Sequence, residues 1–170
     1  MNDTKLRRAM NGILIVLAAL LAFSQPPTDA HPTFGGIRLL EGYSAKRGGA
    51  VDATAWTIRA ESGLRIEFEA GPNEGSWADP RDINKYAWYR EQILHRFMVR
   101  FALVKPGMKT QWEPNESRGL PPGNILLVTY LLDGPKSTHT ANFSAKLANS
   151  AELGDALLMI VTFDPSKGAF

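Results

Sequence analysis

The chain beyond residue 30 predicts a mainly β fold: a two-layer antiparallel β-sandwich of about seven strands, with one short helix near 80–94. Three observations carry this. Apolar and polar residues alternate with a period of two in several segments, the mark of strands with one covered and one wet face. Gly/Pro-rich turns separate those segments at the spacing of an all-β domain. Two runs, Asn124–Asp133 and Ala156–Phe163, are apolar almost throughout and predict strands covered on both faces. Doubly covered strands need a second layer, hence sheet on sheet. A helix-on-sheet α+β arrangement is the alternative.

The elements follow in order. Ile37–Tyr43 is a first strand, ended by the Lys46-Arg47-Gly48-Gly49 turn. Thr54–Glu61 sets Trp56 and Ile58 on one face. Ser62-Gly63 then turns the chain into Leu64–Ala70, where Leu64, Ile66 and Phe68 alternate with Arg65, Glu67 and Glu69. The two runs predict a hairpin. Gly71–Ala78 is a loop. Asp79-Pro80 reads as the N-cap and first position of a helix over 80–94, with Ile83, Tyr86, Ala87, Ile93, Leu94 and Phe97 on one side. A strand over Tyr86–Ile93 competes, because aromatics are dense there.

Arg96–Val104 alternates as a strand, and Met108–Gly123 is a long Pro/Gly-rich connection. Asn124–Asp133 and Ala141–Ala148 are further strands. Ser150 caps a short helical turn reaching Gly154 or Asp155, and Ala156–Phe163 is the seventh strand, stopped by Asp164-Pro165. The expected core is Leu64, Ile66, Phe68, Phe97, Val99, Phe101, Leu126, Val128, Phe143, Leu147, Leu158, Ile160 and Phe163.

Residues 1–30 read as a signal peptide. Lys5, Arg7 and Arg8 precede the apolar run Ile13–Phe23, whose 11 residues suit a signal-peptide core better than a membrane span. Pro26-Pro27 breaks the run, and Thr28-Asp29-Ala30 offers small residues for cleavage before His31. The organisation is then a leader (1–30), one globular β-rich domain (31–165) and a tail (166–170). The protein is expected to be exported to the periplasm, cell envelope or extracellular space. The alternative is a retained anchor over residues 9–23, the chain's one expected contact with a membrane.

Without the leader's three basic residues and two acidic ones (Asp3, Asp29), the 19 basic and 17 acidic residues fall to 16 and 15, a net charge of +1. That balance gives no footprint for nucleic acid. The chain has no cysteine, which excludes disulfides, thiol catalysis and zinc-ribbon or iron–sulfur ligation. A domain of this size can be stabilised by core burial alone.

Chemistry-bearing residues are few. The histidines are His31, His95 and His139. Cleavage before His31 makes it the N-terminal residue, offering its α-amine and imidazole to one metal. His139, in a polar loop, is the better second ligand, whereas His95 lies in an apolar stretch and reads as a core or rim residue. Nitrogen ligands in such a set suit copper. The arrangement resembles the histidine brace of lytic polysaccharide monooxygenases and of small periplasmic copper-binding sandwiches, although the Asp-x-His signature of the latter is absent.

Glu67 and Glu69 share one strand face, as paired carboxylates must, but Arg65 shares it too, as in a solvated row. Hydrolase, zinc-protease, P-loop and dinucleotide motifs are missing. Trp77 and Trp112 sit in Gly/Pro-rich loops and Trp88 in the 80–94 segment, where exposed indoles suit sugars, flat ligands or protein partners. A sandwich with loop tryptophans resembles many carbohydrate-binding modules. Asn115 and Asn142 lie in Asn-x-Ser sequons.

The sequence thus reads as a non-enzymatic exported module that binds an extracytoplasmic ligand, a carbohydrate or a protein, through Trp77, Trp112 and Trp88, with no cofactor. The alternative is a copper-binding protein or copper-dependent oxidoreductase built on His31 and His139.

Overall fold

A computed structural model describes residues 32–48, 53–72, 74–114 and 119–167. The leader and His31 lie outside them. A small two-stranded sheet comes first, β1 (Thr33–Phe34) and β2 (Ile37–Arg38). The main sheet has seven antiparallel strands. They are β3 (Tyr43–Arg47), β4 (Thr54–Ala60), β5 (Arg65–Pro72), β6 (Tyr86–Leu94), β7 (Phe97–Val104), β8 (Ile125–Leu131) and β9 (His139–Lys146). Their order is β3-β4-β5-β9-β8-β7-β6, so two meanders join where β9 lies between β5 and β8. One α-helix, α1 (Ser150–Ile160), follows β9.

The register sorts the side chains. Trp56, Phe68, Phe143, Val128 and Phe101 are successive cross-strand partners from β4 to β7 and form one apolar row. Over this face lies the second layer: β1, β2, α1 and Phe163. The Phe163 ring meets Trp56, Phe68, Tyr130 and Phe143 edge-on, with centroids 5.0–6.3 Å away. Tyr130 donates its hydroxyl to the Ile160 carbonyl at 2.8 Å, and the Arg38 N–H reaches Thr162 Oγ1 at 2.9 Å. Gly35 turns the β1–β2 hairpin at φ 53, and a Cβ there would overlap the Trp56 indole. Glycine is thus required twice, by the backbone angle and by the close approach.

The mainly β, two-layer, antiparallel architecture agrees with the sequence reading, but the seven strands of the main sheet are not the seven expected: β6 joins the sheet and Ala156–Phe163 does not. The second layer combines the two-stranded sheet with α1. Four local expectations are corrected. The first predicted strand divides into β2 and β3. The helix near 80–94 is helical only over Pro80–Lys85, as a 3-10 turn capped by Asp79, whose Oδ1 accepts from the Arg81 N–H at 2.9 Å. From Tyr86 the chain is extended and pairs along β7 as β6. Its aromatics and the available partner strand outweigh the helical spacing.

The apolar run Ala156–Phe163 is mainly helix. Asn149 caps α1 by accepting from the Glu152 N–H at 3.0 Å, and Glu152 reaches back to the Ala148 N–H at 2.8 Å. This reciprocal pair satisfies two orphan donors at the helix start. The core expectation holds except at two positions: Phe97 is half-buried, and Leu158 is 58% exposed on the outer side of α1. Among the described residues, no helix is long and apolar enough to cross a membrane.

Candidate functional site

The opposite face of the sheet is covered by loops. Asn142 and Thr129, cross-strand partners on β9 and β8, are fully buried there. Asn142 Oδ1 accepts from the Trp77 N–H at 3.1 Å and from the Thr129 hydroxyl at 2.7 Å. Its Nδ2 donates to the Gly75 carbonyl at 3.0 Å and to Thr140 Oγ1 at 2.9 Å. The Ala78 N–H reaches Thr129 Oγ1 at 3.1 Å. One amide side chain thereby fixes the loop of residues 74–79 over the sheet, and burial removes the Asn142 sequon from the surface.

That loop positions two of the three candidate tryptophans. Trp77 is 5% exposed, stacked on Trp112 at 4.9 Å and 13°. Trp112 packs on a small second core with Ala78, Tyr86, Ala102, Val104, Ile125 and Leu127. The structure brings Trp77 and Trp112 together, but as a cover rather than as an open platform. Lys146, nearly buried, is paired with Glu113 of the Trp112 loop.

Trp88 lies on the other face, cross-strand from Leu103 and 6.3 Å from the Phe101 ring. It is 43% exposed because β6 is an edge strand. Leu103 belongs to a cleft of about 230 Å³ between the sheet and the start of α1, lined also by Asn124, Leu147, Ala148, Asn149, Ser150 and Leu153. Four of the lining residues are apolar, and Asn124, Asn149 and Ser150 are polar. Asn124 is pinned on both sides: its N–H donates to the Val104 carbonyl at 3.2 Å, and its carbonyl accepts from the Leu147 N–H at 3.0 Å. It does so at φ 55, a left-handed angle that asparagine tolerates better than most residues. An exposed aromatic beside an apolar cleft with convergent polar groups suits an amphipathic small ligand. The sequence reading picked out Trp88 but missed Leu103, Asn124, Asn149, Ser150 and Leu153. The visible signal was the Gly123-Asn124 step, which the sequence reading took as the boundary between the long connection and the strand beginning at Asn124.

The described histidines have different partners. His31 lies outside the described residues. His139 Nδ1 is 3.4 Å from Asp133 Oδ2, and His95 Nε2 is 3.2 Å from the Val161 carbonyl. Among the described residues, no group of three or more His, Asp or Glu side chains could hold a metal. Of the paired carboxylates, Glu67 is bridged to Arg65 at 2.9 Å. Burial, then Glu74 and Glu67, raises the Glu69 carboxyl above its ordinary range. Across the sheet, Glu91 accepts from the Tyr89 hydroxyl at 2.7 Å and from Arg100 Nε at 3.0 Å. The Tyr89 bond, then Arg100, holds its carboxyl below the usual range. Glu67 and Glu91 are each paired with an arginine, whereas Glu69 is half-buried beside two other carboxylates.

No family model, no curated protein and no solved structure matches the chain.

Proposed function

We propose that the protein is an exported binding module that takes a sugar-like ligand in the cleft beside Trp88. The carrying observation is the pairing of Trp88 with Leu103, which sets an exposed indole beside a cleft lined by leucines and by Asn124, Asn149 and Ser150. Sugar rings present an apolar C–H face and a rim of hydroxyls, matching an indole and an amide respectively. Export rests on the leader read over residues 1–30, and this is a binding role rather than catalysis.

Titration of neutral oligosaccharides, followed by tryptophan fluorescence and by the Leu103 and Leu153 methyl resonances, tests it. The expected result is saturable binding that Trp88→Ala removes while the fold is retained. Binding that survives Trp88→Ala, or no response in those methyls, overturns the reading. N-terminal sequencing of the exported protein tests the leader. A first residue other than His31 also removes the copper alternative.

A further inference from the structure

We infer that the cleft beside Trp88 takes an acidic sugar, one that carries a carboxylate or a sulfate ester, and that Arg90 reads the charge. The inference rests on the sugar-binding reading above and adds the class of ligand. It starts from an anomaly in the register of β6. Trp88, Arg90, Gln92 and Leu94 share one face, opposite Leu103, Phe101, Val99 and Phe97 of β7. Arg90 is the one cation in a row whose cross-strand partners are all apolar.

The acidic side chains of the neighbouring elements are engaged elsewhere. Glu91 lies in the opposite register and pairs with Arg100 at 3.0 Å. On α1, Asp155 accepts from the Tyr43 hydroxyl at 2.8 Å, and Glu152 accepts from the Ala148 N–H at 2.8 Å. Arg90 is exposed, and among the described residues no carboxylate forms an ion pair with it.

Its place relative to the cleft decides the ligand. The Val104 carbonyl, one residue beyond Leu103, accepts from the Asn124 N–H at 3.2 Å. The polar end of the cleft therefore lies on one side of the Trp88–Leu103 pair. Arg90 lies on the other side, two residues along the strand, at about 7 Å. A pyranose ring resting on the indole has Asn124, Asn149 and Ser150 toward one rim and Arg90 toward the other. A guanidinium matches a carboxylate or a sulfate through paired N–H donors. Charge on an edge strand also blocks pairing with other chains. That role alone needs a cation somewhere along β6 and does not call for one beside the exposed indole.

The test compares three oligosaccharides of equal length at constant ionic strength: a neutral glucan, an oligogalacturonate and a sulfated glucan. Tryptophan fluorescence and the Arg90 Nε–H resonance follow binding. At least one acidic ligand should bind roughly tenfold tighter than the neutral one, and the tighter of the two identifies the group. Arg90→Gln should bring the acidic ligands down to the affinity of the neutral one, whereas Trp88→Ala should remove binding of all three. If Arg90→Gln does not fold, loss of the acidic advantage as KCl is raised carries the test on the unaltered protein. Equal affinity for the three, still dependent on Trp88, overturns this inference and leaves the cleft reading standing. An acidic preference retained in Arg90→Gln or in high salt also overturns it. No binding by any of the three overturns the cleft reading and this inference with it.

Discussion

On one face of the sheet Trp56, Phe68, Phe143, Val128 and Phe101 stand in a single cross-strand row under α1 and Phe163. One residue along the same strands, Glu69, Asn142, Thr129 and Arg100 form the matching row on the other face. The first row is closed by apolar burial, which has no preferred direction and accepts a hairpin, a helix and the segment that follows the helix as cover. The second is closed by hydrogen bonds that name their partners: Asn142 and Thr129 fix the backbone of Trp77 and Ala78. The two faces show that an element can be placed by packing or by polar addressing, and the sequence displays the first far more plainly than the second.

The sharpest way to probe the packed face is Phe143→Ala. The ring is fully buried at the centre of the row and touches Phe68, Tyr130 and Phe163. Urea unfolding should show a loss of about 3–5 kcal/mol, as for phenylalanine truncations that leave a cavity. A loss below about 1 kcal/mol would mean that the second layer closes onto the sheet without that ring.

The loop-covered face comes next. A ligand-surface role for Trp77 would make Trp77→Ala cost little. Its burial and its stack on Trp112 now predict a loss of about 2–3 kcal/mol, less than for Phe143 because the site is nearer solvent. Trp88→Ala should stay within about 0.5 kcal/mol. Thermal melts of the pair decide whether the tryptophans divide into cover and ligand surface. Equal costs would erase the distinction.

Asn142→Ala tests polar addressing alone. It removes one side chain, leaving the Trp77 N–H and the Thr129 hydroxyl without their acceptor and the Gly75 carbonyl and Thr140 Oγ1 without one donor. The expected loss is about 1–3 kcal/mol, the cost of unsatisfied buried groups. Hydrogen exchange at Trp77 and Ala78 should accelerate well before the strands open. Uniform acceleration across the sheet would show instead that the loop and the strands form one cooperative unit.

How far these faces were legible depends on the kind of signal. Leu64–Ala70 could be read because alternation is local and survives without knowledge of any partner. The β6–β7 hairpin could not, because its two-residue turn is His95-Arg96, at φ 48 and 73, instead of the glycine or asparagine that usually marks such a turn. A tertiary tie, His95 to the Val161 carbonyl, accompanies that unfavourable local choice. The run Ala156–Phe163 misled for another reason. A short apolar segment fits a buried strand and a buried helix equally well. The deciding feature was the Asn149–Glu152 cap just upstream, overlooked in favour of Ser150. Of the candidate site, Trp88 was visible as an aromatic, but the cleft beside it is assembled from β7, the start of β8 and α1. No linear pattern records that convergence.

The smallest effect expected is electrostatic, and it separates Glu69 of the polar row from Asp79, the cap of the 3-10 turn. Burial, followed by Glu74 and Glu67, raises the Glu69 carboxyl, so the folded state holds its proton more tightly than the unfolded chain does. Its contribution to stability therefore falls as pH rises from the unfolded value, about 4.3, through the folded one, and stays low above it. Glu69→Gln removes that cost and should raise stability by roughly 0.5 kcal/mol at neutral pH, with the gain vanishing near about pH 3.5. Asp79 has the opposite sign. Its hydrogen bond from Arg81 lowers the carboxyl, so its contribution is present above the unfolded value and is lost as pH falls through the folded one. Asp79→Asn should accordingly cost stability at neutral pH and approach neutrality in acid. Urea midpoints of both variants across this pH range give the comparison. If Glu69→Gln destabilises at neutral pH, then Glu69 makes a favourable contact in the row that outweighs its burial.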